Sequence, residues 1–330
     1  MEFLSAYGLF LAKAVTIVLA IGVIITFAAA AAQRGRQPKG QLTITDLSEH
    51  FQDVQAQMQH YLLDKKDYKK WYKQRGAAAP ADSAAKLFVL EFQGSMDARE
   101  TEALREEISA VLAVAKPQDE VLLKLESGGG VVHGYGLAAS QLNRFKEHNI
   151  PLTIAVDKVA ASGGYMMACV ANKLLAAPFA IIGSIGVVAQ LPNFHKLLKK
   201  NDVDFEQFTA GEFKRTVTLF AENTEKGRQK FQQELEETHL LFKDFVARQR
   251  PALDLAQVAT GEHWFGYQAL KLKLIDELTT SDDYLHLALK TRKVLSVKYQ
   301  LKKGLADKLG QGSASFAAGL WQRLQDRRWF

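Results

Sequence analysis

Three short apolar runs decide the fold class of this 330-residue sequence: KLFVLEF (86–92), VLLKLES (121–127) and PLTIAVD (151–157). In the intervals between them, apolar residues recur every three or four positions, which predicts helices over about 99–114 and 133–148. Strands that alternate with helices indicate a mainly parallel α/β sheet, whose ligand site lies at the carboxyl ends of its strands. The residues that follow these runs are therefore the first candidates for function.

The same patterns predict further elements on both sides of this region. Downstream they are a buried helix (162–171), strands at KLLAAP (173–178) and 181–188, and a long helix (224–250). Upstream, apolar residues at helical spacing predict one amphipathic helix within 41–76, and AAAPADSAA (77–85) has the composition of a linker.

An uncharged apolar stretch near the start, AVTIVLAIGVIITFAAAAA (14–32), is long enough to cross a bilayer as a helix. A cleaved signal peptide is the alternative, but the preceding residues lack a basic region and Lys13 interrupts them. Arg34, Arg36 and Lys39 follow the stretch, so the positive-inside rule favours a cytoplasmic body. We therefore predict a retained transmembrane anchor.

The sequence divides into four regions on this basis. They are an N-terminal membrane anchor (1–40), a helical juxtamembrane extension and linker (41–85), the α/β domain (86–290) and a basic C-terminal tail (291–330). The tail ends in SFAAGLWQRLQDRRWF (315–330), which fits either an interfacial helix or a frayed end.

Composition and charge exclude several classes of protein. A hydrophobic content of 48% with 7 prolines excludes a disordered or collagenous chain. The single cysteine, Cys169, excludes an intrachain disulfide framework and is expected to pack in an apolar helix. Of the net charge of +6, about +4 comes from residues 33–76, where nine Lys or Arg face five Asp or Glu. This local excess favours a lipid surface as partner over a nucleic acid.

The segment VDKVAASGGYMMACVA (156–171) is the most informative for chemistry. A strand ends there, small residues make a tight turn, and Ser162 precedes an apolar helix, where a nucleophile would be exposed at the sheet edge. Gly163 and Gly164 would let a substrate backbone approach closely. The alternative is that Ser162 is only a helix N-cap.

A nucleophilic serine needs a base. His133 follows a glycine loop and His195 follows a strand, yet neither lies in a pattern that supplies both an orienting Asp and a partner for Ser162. A lysine serves when burial or a nearby cation keeps its amine neutral. Lys214 in TAGEFKRT follows a glycine-initiated segment and is the lysine candidate, although a surface lysine is the ordinary interpretation.

Two glycine-containing segments complete the pattern. ESGGGVVHGYG (126–136) follows a strand and precedes a helix, so its backbone amides could bind an oxyanion, or it could be only a glycine-rich helix entry. It lacks the spacing of a dinucleotide or P-loop motif. In IIGSIGVVAQ (181–190), Ser184 lies in an apolar run, where its hydroxyl needs a partner such as a lysine.

Together these motifs resemble peptidase family S49, the signal peptide peptidase or protease IV family, over nearly the whole chain. They are S-x-G-G-G with V-H-G-Y-G, V-A-A-S-G-G-Y, G-S-I-G-V, G-E-F-K-R, and A-x-G-x-x-W-x-G-x-x-A-L ending in L-I-D-E-L. The resemblance implies a ClpP/crotonase-type α/β spiral fold for the domain at 86–290. The family commonly has proline where this chain has Gly128, and glycine where it has Lys273.

The resemblance also assigns roles to individual residues. It implies that Ser162 is the nucleophile, that Lys214 is the general base, and that Ser184 orients the lysine. Gly129 is the first expected oxyanion donor and Gly130 the second. Gly163 is expected beside the bound substrate.

We expect no metal or cofactor, and a peptide or unfolded polypeptide as substrate. The resemblance further implies a ring-shaped homo-oligomer in which serine and lysine come from neighbouring subunits, and a single-pass protein of the bacterial inner membrane. The family suggests a catalytic domain outside the cytoplasm, whereas the positive-inside count suggests the cytoplasm. The competing functions are a catalytically silent membrane scaffold and a crotonase-like enzyme acting on an acyl-CoA.

Overall fold

Strands and helices alternate along most of the chain from residue 86 onward, as the apolar runs predict. The computed structural model describes residues 40–75 and 85–300, together with isolated positions among residues 7–16. The strands are β1 (Gln41–Asp46), β2 (Lys86–Gln93), β3 (Glu120–Glu126), β4 (Leu152–Val156), β5 (Val159–Ala161), β6 (Lys173–Ala176), β7 (Ile181–Gly183), β8 (His263–Phe265), β9 (Glu277–Leu278) and β10 (Lys293–Gln300).

The helices of the described chain cover both faces and one end of the sheet. They are α1 (Leu47–Leu62), α2 (Lys65–Arg75), α3 (Thr101–Leu112), α4 (Val132–Glu147), α5 (Gly163–Ala168), α6 (His195–Lys200), α7 (Glu225–Gln249), α8 (Leu255–Val258), α9 (Gly266–Lys271) and α10 (Ser281–Ala288). The longest, α7, begins at an N-cap where the Thr224 hydroxyl accepts a hydrogen bond from the Gly227 amide.

Seven of the described strands form one sheet in the order β1-β10-β2-β3-β4-β6-β9. From β10 to β9 every neighbouring pair is parallel. The mainly parallel α/β sheet predicted from the sequence is therefore confirmed. In a second sheet β7 lies between β5 and β8, parallel to the first and antiparallel to the second. A bridge between Ser127 and Ala160 links β5 to the carboxyl end of β3.

Successive side chains of β2 point to opposite faces of the sheet, and both faces are apolar and covered. Phe88, Leu90 and Phe92 belong to the larger apolar core with α3 and α4, whereas Leu87 and Val89 join a smaller core with α10. Each large apolar side chain so buried stabilises the fold by about 1.5–3 kcal/mol. Continuous apolar runs such as this are typical of parallel strands buried on both sides.

Two sequence expectations about the ends of the sheet need correction. The single helix predicted within 41–76 is wrong at its start, because β1 (Gln41–Asp46) joins the sheet beside β10 and α1 begins only at Leu47. A break at residues 63–64 then separates α1 from α2. At the other end, the sheet extends past residue 290, because β10 lies between β1 and β2.

Several predicted segments lie almost entirely outside the described residues. They are the transmembrane helix (14–32), the linker (77–85) and the terminal segment (315–330). Among the helices that the structure does describe, none is long and apolar enough to span a bilayer.

Candidate active site

Ser162 sits at the junction between β5 and α5, where the chain turns sharply. Its backbone has φ of +52° and ψ of −120°, a region that residues with a side chain rarely adopt. Two backbone bonds hold this conformation: the Ser162 amide donates to the Gly183 carbonyl (2.8 Å), and the Met166 amide donates to the Ser162 carbonyl (3.0 Å). Such a backbone costs of order 1–3 kcal/mol and occurs most often at functional sites.

Ser162 occupies the N-cap position of α5, but its side chain does not cap the helix. A capping serine accepts a hydrogen bond from an amide in the first turn, and Ser162 makes no such bond at the start of α5. Its side chain is half-buried, and no hydrogen bond to its hydroxyl occurs among the described residues.

Close packing explains why glycines surround Ser162. A Cβ on Gly129, whose φ is +88°, would lie 2.8 Å from the Ser162 Cβ and 2.7 Å from the Gly163 nitrogen. A Cβ on Gly163 would overlap the ring of Tyr135, and one on Gly130 would overlap the Met96 carbonyl. The glycine loop, residues 127–130, thus lies directly against the serine turn, as expected for a loop that serves the same site.

The two expected oxyanion donors differ in their hydrogen bonds. The Gly129 amide donates to the Ser127 hydroxyl oxygen at 3.1 Å. No acceptor for the Gly130 amide occurs within residues 40–75 and 85–300. The Gly128 amide likewise has no acceptor in this part of the chain, so of the two expected donors Gly130 has an unpaired amide, while Gly129 is held by Ser127.

A cavity of about 330 Å³ opens beside the glycine loop. It is lined by residues at the ends of β2 and β3 and by the loop itself: Gln93, Gly94, Ser95, Glu100, Glu126, Ser127, Gly128 and Val159. Because it lies at the carboxyl ends of parallel strands, it is where such a sheet ordinarily binds its ligand.

Ser184 follows β7 directly and is brought close to Ser162 by the backbone bond to Gly183. Its amide donates to the Glu262 carbonyl at 2.7 Å, and its side chain is half-buried. The strand predicted over 181–188 is wrong beyond Gly183, because φ is +102° at Gly183 and +53° at Ser184. A left-handed backbone at two successive residues ends the strand and turns the chain away.

Lys214 is exposed in the segment between β7 and α7, residues 184–224, which is irregular apart from α6. Its amide donates to the Gly211 carbonyl at 3.2 Å, which makes a tight turn. In the described chain, no hydrogen bond or ion pair of its side chain reaches Ser162 or Ser184. Within one chain the structure thus brings the backbones of the two serines together, and it shows no hydrogen bond between Lys214 and either of them.

The residues around Lys214 are anchored to the start of α7. Glu212 pairs with Lys226, and the Phe213 ring lies 5.7 Å from the ammonium groups of both Lys226 and Lys230. A Cβ on Gly227 would overlap the Thr216 carbonyl, which shows how closely the segment lies on the helix. The segment therefore has a defined position despite its irregular backbone.

Neither histidine considered from the sequence is paired with Ser162. His133 is exposed on α4 and His195 begins α6. A histidine that sequence reasoning missed, His239 on α7, has its Nε2 3.1 Å from the Ile185 carbonyl, next to Ser184. A single histidine in a 25-residue helix belongs to no sequence motif, so the sequence does not reveal this contact.

Sequence reasoning also missed the polar contacts behind the glycine loop. The Tyr135 hydroxyl lies 2.6 Å from the Ser127 hydroxyl and donates to the Ser95 carbonyl at 2.8 Å. The motif V-H-G-Y-G contains this tyrosine. Tyr135 lies at helical spacing from the apolar residues of α4, which predicts that its ring is buried. Its hydroxyl partners come from two other segments and cannot be read from local spacing.

Two further observations concern groups that could carry other chemistry. Within the described ranges, no cluster of three or more His, Cys, Asp or Glu side chains is arranged to hold a metal ion. Cys169 packs in the core, as predicted, with its thiol 3.3 Å from the Met166 carbonyl. Burial raises the pKa of this thiol to about 12, so it is not a reactive thiolate at neutral pH.

Comparison with known proteins identifies the family of the chain. Residues 2–142 match the sequence model described as Peptidase family S49 N-terminal, and residues 144–296 match that described as Peptidase family S49. The first match contains the glycine loop and Tyr135, and the second contains Ser162, Ser184 and Lys214. The candidate site is thus built from both halves of the match.

Several relatives align over most of their length. Probable protease SohB of Haemophilus influenzae is 52% identical, and the alignment covers 99% of this chain and 98% of the relative. Proteins of the same name from Buchnera aphidicola are 48% identical in two subspecies: Schlechtendalia chinensis, with 86% of this chain and 99% of the relative covered, and Acyrthosiphon pisum, with 93% of each covered.

Proposed function

The chain belongs to peptidase family S49, and from that premise we propose that it is a membrane-anchored serine endopeptidase with a Ser162/Lys214 dyad. The observation that carries this proposal is the strained backbone of Ser162, whose hydroxyl is not used as a cap. The proposed fold of the catalytic domain is the ClpP/crotonase-type spiral. The proposed substrates are signal peptides or misfolded membrane and envelope proteins.

The proposed reaction proceeds through an acyl-enzyme. The neutral Lys214 amine takes the proton of the Ser162 hydroxyl as its oxygen attacks a peptide carbonyl. The C–N bond then breaks, and the leaving amine takes the proton from Lys214. A water molecule next attacks the ester and gives its proton to Lys214. The carboxylic acid leaves as Ser162 regains its hydrogen.

Backbone amides would stabilise the oxyanion in both tetrahedral intermediates. We assign this role to the Gly163 amide together with an amide of the loop that carries Gly129 and Gly130. A donor preorganised for an oxyanion contributes on the order of 3 kcal/mol to catalysis. The cavity beside the loop would receive the polypeptide on the way to Ser162.

We propose that Ser162 and Lys214 pair between neighbouring subunits of a ring. Two observations favour this arrangement: Lys214 is exposed and its side chain makes no hydrogen bond to either serine within the described chain, and its segment exposes many apolar side chains. The most exposed of these are Val188, Leu191, Leu197, Val203 and Phe208. Exposed apolar surface of this kind is typical of a protein interface.

The catalytic assignment is tested with full-length protein purified in detergent. Wild type, Ser162→Ala and Lys214→Ala are compared for cleavage of fluorescein-labelled casein and for labelling by a fluorophosphonate. Lys199→Ala serves as the matched control, because Lys199 is another exposed lysine of the same segment. We expect cleavage only from wild type and the control. Full cleavage by Ser162→Ala would refute the Ser162/Lys214 dyad, whereas a wild type that neither cleaves nor labels would favour the scaffold or acyl-CoA alternatives.

Subunit mixing tests the pairing between chains. Inactive Ser162→Ala and Lys214→Ala proteins are dissociated, mixed and reassembled. If serine and lysine come from different subunits, mixed rings contain some intact pairs and recover part of the wild-type activity. Inactive mixed rings, shown to be mixed by two affinity tags, would place both residues in one subunit.

The proposed membrane anchor is the uncharged stretch at residues 14–32. Alkaline carbonate washing of inner-membrane vesicles should leave the full-length protein in the pellet. Release into the supernatant would contradict a single-pass anchor. Protease added to intact spheroplasts then distinguishes the two orientations, because it digests the catalytic domain only when that domain is periplasmic.

A further inference from the structure

Tyr135 is fully buried between the two loops of the candidate site. Its ring lies against Gly163, the residue after Ser162, and makes an edge contact with Phe92 at 6.4 Å between ring centroids. Its hydroxyl lies 2.6 Å from the Ser127 hydroxyl, in the glycine loop. One side chain therefore touches both the serine turn and the loop expected to bind the oxyanion.

The hydrogen bonds behind the glycine loop have a fixed direction. A tyrosine hydroxyl has one hydrogen, and Tyr135 donates it to the Ser95 carbonyl at 2.8 Å. The Ser127 hydroxyl must then donate to Tyr135, and its oxygen accepts the hydrogen of the Gly129 amide at 3.1 Å. The chain runs from Gly129 through Ser127 and Tyr135 to Ser95, and bonds in such a chain strengthen one another.

We propose that Tyr135 is a positioning residue that acts through Ser127 to hold the glycine loop in its catalytic geometry. The inference rests on the proposed peptidase function. Gly129 needs this restraint, because its φ of +88° belongs to a conformation that glycine leaves easily. With Gly129 held, Gly130 keeps its place against Met96 and its own unpaired amide keeps its direction.

The role depends on the Tyr135 hydroxyl and not on its ring. Tyr135→Phe keeps the ring against Gly163 and Phe92 and removes one oxygen atom. The Ser127 hydroxyl then lacks its acceptor and can rotate away from the Gly129 amide. The loop would still fold, but its amides would be less well preorganised for the transition state.

Tyr165 provides a matched control for this substitution. It is also fully buried, and its hydroxyl also donates one hydrogen bond to a backbone carbonyl, that of Leu274 at 2.9 Å. It makes no hydrogen bond to the glycine loop among the described residues. Tyr165→Phe therefore reports the general cost of losing a buried tyrosine hydroxyl.

The experiment compares full-length Tyr135→Phe, Ser127→Ala, the double variant and Tyr165→Phe in detergent. Casein cleavage is measured as kcat and KM, and thermal unfolding is recorded for each protein. We expect kcat to fall about 10- to 100-fold in Tyr135→Phe and in Ser127→Ala, with KM changed less than about threefold. The double variant should be no slower than the slower single variant, since both act through one chain of bonds.

Equal kcat values for Tyr135→Phe and Tyr165→Phe would overturn the inference, as would fully additive losses in the double variant. If Tyr135→Phe does not fold, the kcat of Ser127→Ala tests the proposal by itself. A kcat of Ser127→Ala equal to that of wild type would refute the proposal. Ser162→Ala is measured in the same series. Its retained cleavage would refute the proposed function, whereas its inactivity beside a fully active Tyr135→Phe would refute only the role of Tyr135.

Discussion

The Ser162 amide donates a hydrogen bond to the Gly183 carbonyl at 2.8 Å, which fixes the turn of one candidate serine to the residue that precedes the other. Ser162 and Ser184 both have positive φ values, +52° and +53°. The bond lies at the end of β5 and β7, where both strands stop. The positions of the two hydroxyl groups are thus determined by the same strand pair.

The strain at Ser162 predicts opposite effects on stability and activity. Ser162→Gly should raise the free energy of unfolding by about 1 kcal/mol, because glycine adopts this backbone without a Cβ clash. It should also abolish cleavage. Ser162→Ala is the control, since it removes the hydroxyl and keeps the Cβ. Urea unfolding that gives equal stability for the two variants would contradict strain at this position.

A second strained position, Lys273, offers a stabilising substitution away from the site. It follows α9 with φ of +62° and an exposed side chain. Lys273→Gly should stabilise the protein by about 0.5–1 kcal/mol with cleavage unchanged. Lys273→Ala retains a Cβ and should not stabilise it. Thermal unfolding of the three proteins checks this, and a gain for alanine equal to that for glycine would argue against backbone strain.

Glu107 predicts a pH dependence of stability near neutrality. This carboxyl on α3 is 4% exposed and accepts a hydrogen bond from the Tyr299 amide at 2.7 Å. Burial raises its pKa from 4.5 to about 7; the hydrogen bond from the Tyr299 amide and the nearby Lys298 oppose this, and Glu91 adds to it. A raised folded-state pKa gives stability that is complete below pH 4.5 and is lost as the pH rises through about 7.

The free energy of unfolding should fall by an amount on the order of 3 kcal/mol between pH 4.5 and about pH 7. Glu107→Gln removes the charge and keeps an oxygen for the Tyr299 amide, so its stability should vary less over the same range. Urea unfolding at pH 5, 6, 7 and 8 measures both proteins. Parallel pH curves would show that Glu107 is not the group responsible.

The contact between Arg250 and Asp276 predicts a stability effect that depends on acid. Arg250 is 11% exposed and donates two hydrogen bonds to the carboxylate, at 2.7 and 2.8 Å. Burial raises the pKa of Asp276, but the bonds from Arg250 and from the Leu174 amide outweigh it and hold the pKa below its ordinary value of 3.8. The stabilisation is therefore present above pH 3.8 and is lost as the pH falls.

Arg250→Lys should lower the stability at pH 7 by about 1–2 kcal/mol, since lysine cannot form the two parallel bonds. Arg105→Lys is the matched control, because Arg105 pairs with Glu102 at the surface, where both side chains are about half exposed or more. That change should cost less than about 0.5 kcal/mol. A difference between wild type and Arg250→Lys that persists unchanged at pH 2.5 would contradict the assignment.

The sequence predicts the centre of the fold better than its edges. Continuous apolar runs locate β2, β3 and β4 to within two residues, because a strand buried on both faces leaves a strong local pattern. The first strand, β1, could not be predicted in this way. Its sequence QLTITD forms a strand because it pairs with β10, some 250 residues later. Local spacing cannot report such a partner.

In the candidate site, too, local features can be predicted from the sequence and contacts between distant segments cannot. A tight turn at Ser162 and a glycine loop follow from small residues at the ends of predicted strands. The bonds from Tyr135 to Ser127 and Ser95 join segments up to 40 residues apart, so they depend on the tertiary fold. The position of Lys214 was equally hidden, because an exposed turn of charged and small residues leaves no periodic pattern.

Because β10 lies between β1 and β2, the sheet cannot be completed until β10 has been synthesised. During synthesis, the first strand emerges from the ribosome some 250 residues before the strand that lies beside it. Until residues 293–300 are made, β2 has an open edge, and open edges pair readily with other chains. A nascent chain stopped at residue 290 would therefore be prone to aggregate, and premature termination there would yield an incomplete sheet rather than a shortened enzyme.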